Sequence, residues 1–279
     1  MSNFTAKLAV ISLVGLVLGC ATGEKKITLR FKFEPGMKLV YEQTTKSSYT
    51  VLEKDTVFEK GSRVYDVGIV AHVKSVAEDG TAELLDSTSW KWTQPNKEDS
   101  TVMDTVENIR ATILFVEPDG RYQDIVFGDD EPASAAWIKN YYDQAMPVFP
   151  AGELPVGYSW TQTTKVLLPD ETMNAKSTYR IKSFARQGGY DCAVIEYEGN
   201  LIIPIEPHEK DSVKYQGYDE IEITGVTYFA YTAGIILQER QSWMVDGHRE
   251  KMLEDGSTET YKVQTKSELD YHLVDLVKP

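Results

Sequence analysis

The chain has 279 residues, 42% of them hydrophobic, and a formal net charge of −14 at pH 7. This excess of carboxylates argues against binding to nucleic acid and against electrostatic adsorption to anionic lipid. A chain of this length can form one large domain or two smaller ones.

The first twenty residues have the pattern of an export signal. Lys7 precedes an uncharged run over residues 8–18, and the small residue Gly19 stands just before Cys20. Eleven apolar residues span about 17 Å as a helix, well short of a hydrocarbon core of about 30 Å. The pattern therefore predicts a removable signal peptide over residues 1–19 and not a permanent membrane span.

The motif Val17-Leu18-Gly19-Cys20 resembles the lipobox of bacterial lipoproteins. In that family the cysteine carries a diacylglyceryl group and the new amino terminus a further acyl chain such as palmitate, so the resemblance implies lipidation of Cys20 and a tether over residues 20–26. Several acyl chains hold a soluble domain at a bilayer, each contributing about 0.8 kcal/mol per buried methylene. Ala21 stands where an inner-membrane retention signal would place aspartate, which favours an outer-membrane lipoprotein facing the periplasm or the cell surface. The alternative is an ordinary secretory signal with a coincidental cysteine.

Alternating apolar and polar residues predict a series of β-strands over residues 27–128. The first is expected to end at Pro35-Gly36, and its apolar row is Ile27, Leu29, Phe31 and Phe33. Further strands are expected at 37–52, 63–76, 81–92 and 109–116, the last with the alternating row Ile109, Ala111, Ile113 and Phe115.

Four Asp-Gly pairs stand between strand-like runs. Both residues accept the positive φ angles of hairpin turns, so these pairs favour antiparallel pairing over βαβ units. The pairs are Asp79-Gly80, Asp119-Gly120, Asp246-Gly247 and Asp255-Gly256.

One amphipathic helix is predicted within residues 129–150. Asp129 or Asp130 can cap its start, and Pro147 ends it. The residues that recur every four positions on one face are Ala133, Trp137, Tyr141 and Ala145.

Residues 151–279 repeat features of the first half. The segment Tyr41-Glu42-Gln43-Thr44-Thr45-Lys46 has a counterpart in Trp160-Thr161-Gln162-Thr163-Thr164-Lys165, and two other short matches follow in the same order. This predicts two related halves. The strands expected here are 158–168, 178–185, 192–203, 218–231, 235–245, 249–253 and 258–277, with 204–217 as a long loop that contains Pro204 and Pro207.

Three segments are similar to an uncharacterised family of bacterial envelope lipoproteins. They are Phe31-Lys32-Phe33-Glu34-Pro35-Gly36, Leu154-Pro155-Val156-Gly157-Tyr158-Ser159-Trp160 and Gly225-Val226-Thr227-Tyr228-Phe229-Ala230-Tyr231. A looser resemblance is to half-barrels of the lipoprotein-carrier type, whose curved antiparallel sheet holds acyl chains under a helical lid. The fold it implies is mainly β: a curved antiparallel sheet of half-barrel or sandwich type with one helix between the halves.

Pairs of adjacent apolar residues give an independent reason to expect curvature. Leu84-Leu85 and Ile235-Ile236 place apolar groups on both faces of their strands. One helix on a flat sheet covers only one face, so a closed, curved or sandwiched sheet is required.

Sequence motifs for catalysis are absent, and the chain is predicted not to be an enzyme, with no catalytic residue, cofactor or metal. His208, Glu209 and Asp211 could ligate a metal, but a solvated charged loop explains them better. Acylation of Cys20 would leave Cys192 without a disulfide partner, so Cys192 is predicted to be a small buried strand residue.

Two functional hypotheses follow. The first is a binding protein that holds a lipid or other apolar ligand inside the curved sheet, gated by the helix around Trp137 and Tyr141. The second is a structural or interaction lipoprotein that docks another envelope protein and takes no small ligand. In both, the membrane is reached through the acyl chains on Cys20.

Overall fold

The computed structural model describes residues 25–53, 56–95, 103–127, 135–167, 172–210, 213–253 and 257–279. The predicted signal peptide, the lipobox with Cys20 and the capping residues Asp129 and Asp130 lie outside these ranges. Within them, no helix is long and apolar enough to cross a bilayer.

The described chain is mainly β-strand, with a single α-helix between its two halves. The first half contains β1 (Lys26–Ile27), β2 (Lys38–Glu53), β3 (Thr56–Val76), β4 (Ala82–Pro95), β5 (Met103–Val116) and β6 (Tyr122–Phe127), and helix α1 (Ala135–Ala145) follows. The second half contains β7 (Leu154–Pro155), β8 (Ser159–Leu167), β9 (Thr172–Gln187), β10 (Tyr190–Lys210), β11 (Val213–Ala230), β12 (Ile235–Met252) and β13 (Thr258–Val277).

Eleven of these strands form one antiparallel sheet in the order β6-β5-β4-β3-β2-β13-β12-β11-β10-β9-β8. Strands β2 to β6 form one arm and β8 to β13 the other, and the arms meet where β2 pairs with β13. The short strands β1 and β7 pair separately. Each half of the sequence therefore builds one arm of a continuous sheet.

The sheet is strongly curved, and helix α1 lies between its two edges. The helix contacts the edge strands β6 and β8 and packs most extensively on β10. Strands β3 and β11 are separated in the sheet by β2, β13 and β12, yet their side chains line one cavity together with the helix. The predicted curved, mainly antiparallel fold with one helix is confirmed.

Both halves contribute to a shared hydrophobic core near the end of the sheet where β3 joins β4 and β11 joins β12, which we call the basal end. Met37 and Val73 from the first half cluster there with Cys192 and Ile235 from the second. Cys192 is fully buried, as predicted, and burial raises the pKa of its thiol.

The segment that was expected to form the first strand crosses the basal end instead. Only Lys26–Ile27 pairs as a strand, and the residues that follow bond to turns: Phe31 N–H donates to the Pro118 carbonyl at 2.7 Å and Lys32 N–H to the Gly234 carbonyl at 3.1 Å. The alternation correctly identified Leu29 as buried. The alternation could not distinguish a strand that is hydrogen-bonded in a sheet from an extended segment that packs on turns.

The apolar row expected on β5 lies on the convex face of the sheet and not on the interior, concave face. Ile109 is 76% exposed and Ala111 is also exposed on the convex face, whereas Leu114 and Val116 are buried on the concave face. Leu114 pairs with Leu84, itself a core residue. The neighbouring strands decide which face of β5 becomes interior.

The expected loop over residues 204–217 is instead a β10–β11 hairpin. Pro204 pairs with Tyr218, and a bulge between Ile205 and His208 accommodates Pro207. Strand β9 pairs with β10 only as far as Asn200, so this part of β10 is an edge where a missing N–H is tolerated.

Two of the four Asp-Gly turns are confirmed, since Gly80 and Gly120 have φ angles of 91° and 95°. The third is wrong, because Gly247 lies inside β12. A β-carbon there would stand 2.8 Å from Asp219 Oδ1, which bonds Arg249 at 2.6 Å, so this glycine makes room for an ion pair. The fourth pair lies outside the described ranges.

Candidate functional site

A cavity of about 530 Å³ lies between the concave face of the sheet and helix α1. This volume falls within the range of about 300–1,000 Å³ that is usual for small-molecule sites. Its lining residues come from both arms and the helix: Gln43, Thr45, Tyr65, Val67, Ile69, Asp86, Thr88, Trp90, Arg110, Thr112, Ile138, Tyr142, Leu201, Ile221, Ile223, Gln241, Trp243 and Leu269.

The cavity begins where the tightly packed basal core ends. Along β3, Val73 and Ala71 are buried in the core, and Ile69, Val67 and Tyr65 then follow on the same face as cavity lining. The second arm shows the same transition along β12, where Ile236 lies in the core and Gln241 and Trp243 line the cavity. The interior is therefore filled near the basal end and open further along the strands.

Aromatic residues close the basal side of this interior. The ring of Phe149 stands 5.4 Å from that of Phe31 and 4.8 Å from that of Phe229, both measured between centroids. Phe149 N–H also donates to the Asp119 carbonyl at 2.7 Å, which holds the segment after the helix against a basal turn. These contacts pack the interior at this end.

Helix α1 forms one wall of the cavity through Ile138 and Tyr142. The Tyr142 ring packs against that of Tyr122 on the edge strand β6, with centroids 4.7 Å apart. On the other side, the buried side chain of Gln144 bonds the backbone of Ile202 in β10. The helix is thus fastened to both arms.

Among the described residues that line the cavity, Arg110 is the one basic side chain. Its guanidinium stands over the Trp90 ring, 5.4 Å from the centroid, and no described carboxylate lies within 4.0 Å of it. Asp86, the one acidic residue in the described lining, accepts a hydrogen bond of 2.6 Å from the Thr88 hydroxyl. Burial raises the pKa of the Asp86 carboxyl, which disfavours its charged form.

A second carboxyl, that of Glu239, is half-buried in the sheet beside the cavity. It accepts hydrogen bonds from the Tyr197 hydroxyl at 2.5 Å and from Gln241 Nε2 at 2.6 Å. Burial raises its pKa, and these bonds and one from Thr227 act in the opposite direction. Gln241 reaches the cavity, so this network supports part of its wall.

A larger groove of about 1020 Å³ lies on the convex face across β8 to β13 and β2. Most of its projecting side chains are charged or carry hydroxyl groups, and several form ion pairs: Arg240 Nε lies 3.6 Å from Asp270 Oδ2, and Glu196 pairs with Lys182. The concave cavity is smaller, but eleven of its eighteen described lining residues are apolar or aromatic, which is more typical of a ligand site.

Sequence analysis placed the ligand contacts on Trp137 and Tyr141. Both positions lie within α1, but their side chains are outside the described part of the structure. The helix residues seen to line the cavity are the adjacent Ile138 and Tyr142. Of the metal candidates, the side chains of His208 and Glu209 are not described, and the described residues contain no group of three His, Cys, Asp or Glu that could hold a metal ion.

Arg110, Trp90 and Glu239 were missed as site residues. The signal for Arg110 was present in the sequence, because it shares its face with Leu114 and Val116 and not with Ile109. Glu239 left no such signal, since the hydrogen bond that it accepts comes from Tyr197 on another strand.

Comparisons with known proteins assign no family. No family model matches the sequence, and no curated protein matches it. A protein described as exported, with a YmcC-like fold, from Bacteroides fragilis NCTC 9343 is 12% identical; the match covers 90% of this chain and 100% of that one, with a TM-score of 0.26. An outer membrane channel from Pseudomonas putida F1 is 7% identical over 87% of this chain and 97% of that one, with a TM-score of 0.27. At such scores neither structure assigns a function.

Proposed function

We propose that this protein is a lipid-anchored, non-catalytic protein of the cell envelope that binds one apolar ligand between the concave face of its sheet and helix α1. The observation that carries the proposal is the cavity of about 530 Å³ with its apolar and aromatic lining. A packed core would leave no such space, because protein interiors have few voids larger than a water molecule.

The position of the amino terminus fits an anchor at Cys20. Lys25 lies at the basal end, with its ammonium 5.0 Å from the Phe184 centroid and 5.2 Å from that of Tyr231. The chain from Cys20 to Lys25 spans at most about 18 Å. An acylated Cys20 would therefore hold the packed basal end near the membrane and leave the cavity on the side away from it.

Native mass spectrometry of the protein extracted from its own membrane tests ligand binding. We expect a bound mass beyond that of the acylated chain, released as collision energy rises. A spectrum with only the acylated chain would contradict the proposal.

Labelling with palmitate tests the anchor separately. We expect label in the parent protein and none in Cys20→Ala, which should also leave the membrane fraction. A Cys20→Ala protein that stays processed and membrane-bound would contradict lipidation, without bearing on the cavity.

A second candidate function is docking of another envelope protein. It is favoured by apolar side chains on the convex face of β2 to β6, which strand register makes neighbours. This convex apolar patch consists of Val40, Val70, Leu85, Ile109, Ala111, Ile113 and Val126. Crosslinking in cells from position 109, with position 180 on the other arm as control, should then capture one recurrent partner at position 109 alone.

A further inference from the structure

The guanidinium of Arg110 presents an unusual combination of position and partners. It is half-buried on the wall of an apolar cavity, yet it forms no ion pair or hydrogen bond with any other described residue. A guanidinium carries five N–H donors, and a partly desolvated one is stabilised by an acceptor that a ligand brings within reach. The ring of Trp90 covers one face of the group but accepts none of these donors.

Among the described residues, the acidic side chain nearest to Arg110 in register does not pair with it. Arg110 pairs with Thr88, and Asp86 pairs with Thr112. Arg110 and Asp86 are therefore diagonal neighbours on adjacent strands and lie on the same face of the sheet. Asp86 instead accepts a hydrogen bond from Thr88. Among its described lining residues, the cavity thus offers one positive group, held over the Trp90 ring, next to a volume lined by Val67, Ile69 and Ile223.

We infer that the ligand of this cavity is a single-chain amphiphile with an anionic headgroup, whose carboxylate or phosphate bonds the Arg110 guanidinium while its chain occupies the apolar space toward helix α1. This rests on the proposed function and names the chemistry of its ligand. Planar guanidinium groups bind carboxylate and phosphate through paired N–H donors. A volume in the lower half of the usual range favours one chain over two.

A matched pair of probes tests the headgroup. The full chain in lipid nanodiscs is titrated with a dansyl-labelled fatty acid and with its methyl ester, and energy transfer from the protein's tryptophans reports bound probe, with empty nanodiscs as blank. We expect the wild type to bind the acid more tightly than the ester. Added salt should weaken binding of the acid and leave binding of the ester unchanged.

Variants of Arg110 assign the preference to this residue. Arg110→Gln should weaken acid binding about tenfold or more, as expected for loss of a charged hydrogen bond, and change ester binding by no more than about twofold. Arg110→Lys should retain part of the preference. Arg180→Gln, at an exposed position on the convex face, is the matched control and should bind both probes as the wild type does.

The outcomes separate the two proposals. Equal, salt-independent binding of acid and ester by the wild type overturns the headgroup assignment but not the proposal that the cavity binds a ligand. Normal binding of the acid by Arg110→Gln has the same consequence. If the wild type binds neither probe, the proposed function itself falls. Binding of the ester by Arg110→Gln shows that the cavity of this variant is folded. If the variant does not fold, the salt dependence of acid binding by the wild type tests whether the charge of the headgroup contributes to binding.

Discussion

The side-chain amide of Gln144 bonds both backbone groups of Ile202. Ile202 N–H donates to Gln144 Oε1 at 2.8 Å, and Gln144 Nε2 donates to the Ile202 carbonyl at 3.0 Å. Strand β9 stops pairing with β10 at Asn200, so the amide takes the place of the missing strand. This one side chain fastens helix α1 to the sheet and satisfies backbone groups that would otherwise be buried and unpaired.

Gln144→Ala should lower the free energy of unfolding by about 2 kcal/mol or more, because two buried backbone groups lose their partners. Urea denaturation measures the loss, and hydrogen exchange of the Ile202 amide should accelerate with it. Lys139→Ala, at an exposed position of the same helix, is the control. Unchanged exchange at Ile202 would show that the helix is held by other contacts.

Gly225 is required by the position of the Tyr197 ring. A β-carbon at residue 225 would overlap that ring, whose hydroxyl donates to Glu239. We expect Gly225→Ala to cost about 1–3 kcal/mol, the usual range for overpacking. In a double-mutant cycle with Tyr197→Leu, most of this penalty should disappear. Full additivity of the two changes would place the strain elsewhere.

A side chain that fills the cavity should block the ligand without unfolding the protein. Val67→Phe directs extra volume toward Trp90 in existing space, so we expect the free energy of unfolding to change by less than about 1.5 kcal/mol. Binding of the dansyl methyl ester should weaken about tenfold or more. Val70→Phe, on the convex face of the same strand, should bind normally. Equal ester binding by both variants would place the ligand elsewhere.

The two faces of β5 should respond oppositely to substitution. Ile109→Lys is expected to change stability by no more than about 0.5 kcal/mol, because the side chain is already exposed. Leu114→Ala should cost about 2–5 kcal/mol through loss of buried contacts. Thermal and urea unfolding of both variants measure these effects. A larger loss for Ile109→Lys than for Leu114→Ala would restore the face assignment made from sequence alternation.

Glu239 should make stability fall as pH rises. Its pKa is raised above the ordinary 4.5 in the folded protein, so the folded state binds the proton more tightly than the unfolded chain does. The free energy of unfolding therefore decreases as pH rises from about 4.5 through the folded pKa, and Asp86 acts in the same direction. Urea unfolding of Glu239→Gln across this range should give a shallower decrease than the wild type.

The control for this pH dependence is Glu198→Gln, at an exposed position of β10. It should reproduce the wild-type curve. If Glu239→Gln and the wild type show the same slope, the Glu239 carboxyl does not govern the pH dependence. Asp86→Asn added to Glu239→Gln should flatten the curve further.

Local sequence determined the strand-rich class, the antiparallel hairpins and the place of the helix. Period-two alternation and the glycines at 80 and 120 act through neighbouring residues, so they can be recognised without the fold. The burial of Cys192 followed in the same way from the apolar residues beside it. The adjacent apolar pairs also required a curved sheet, because one flat layer leaves one face uncovered.

Only the tertiary structure decided which face of each strand is interior. Alternation on β5 offers two faces, and pairing with β4 and the basal core selects the one with Arg110 and Leu114 over the one with Ile109. The surroundings of Glu239 include Tyr197, which donates a hydrogen bond to it, and Tyr271, its register partner, and both lie on other strands. These choices rest on contacts between residues far apart in the chain, and a local pattern carries no information about such partners.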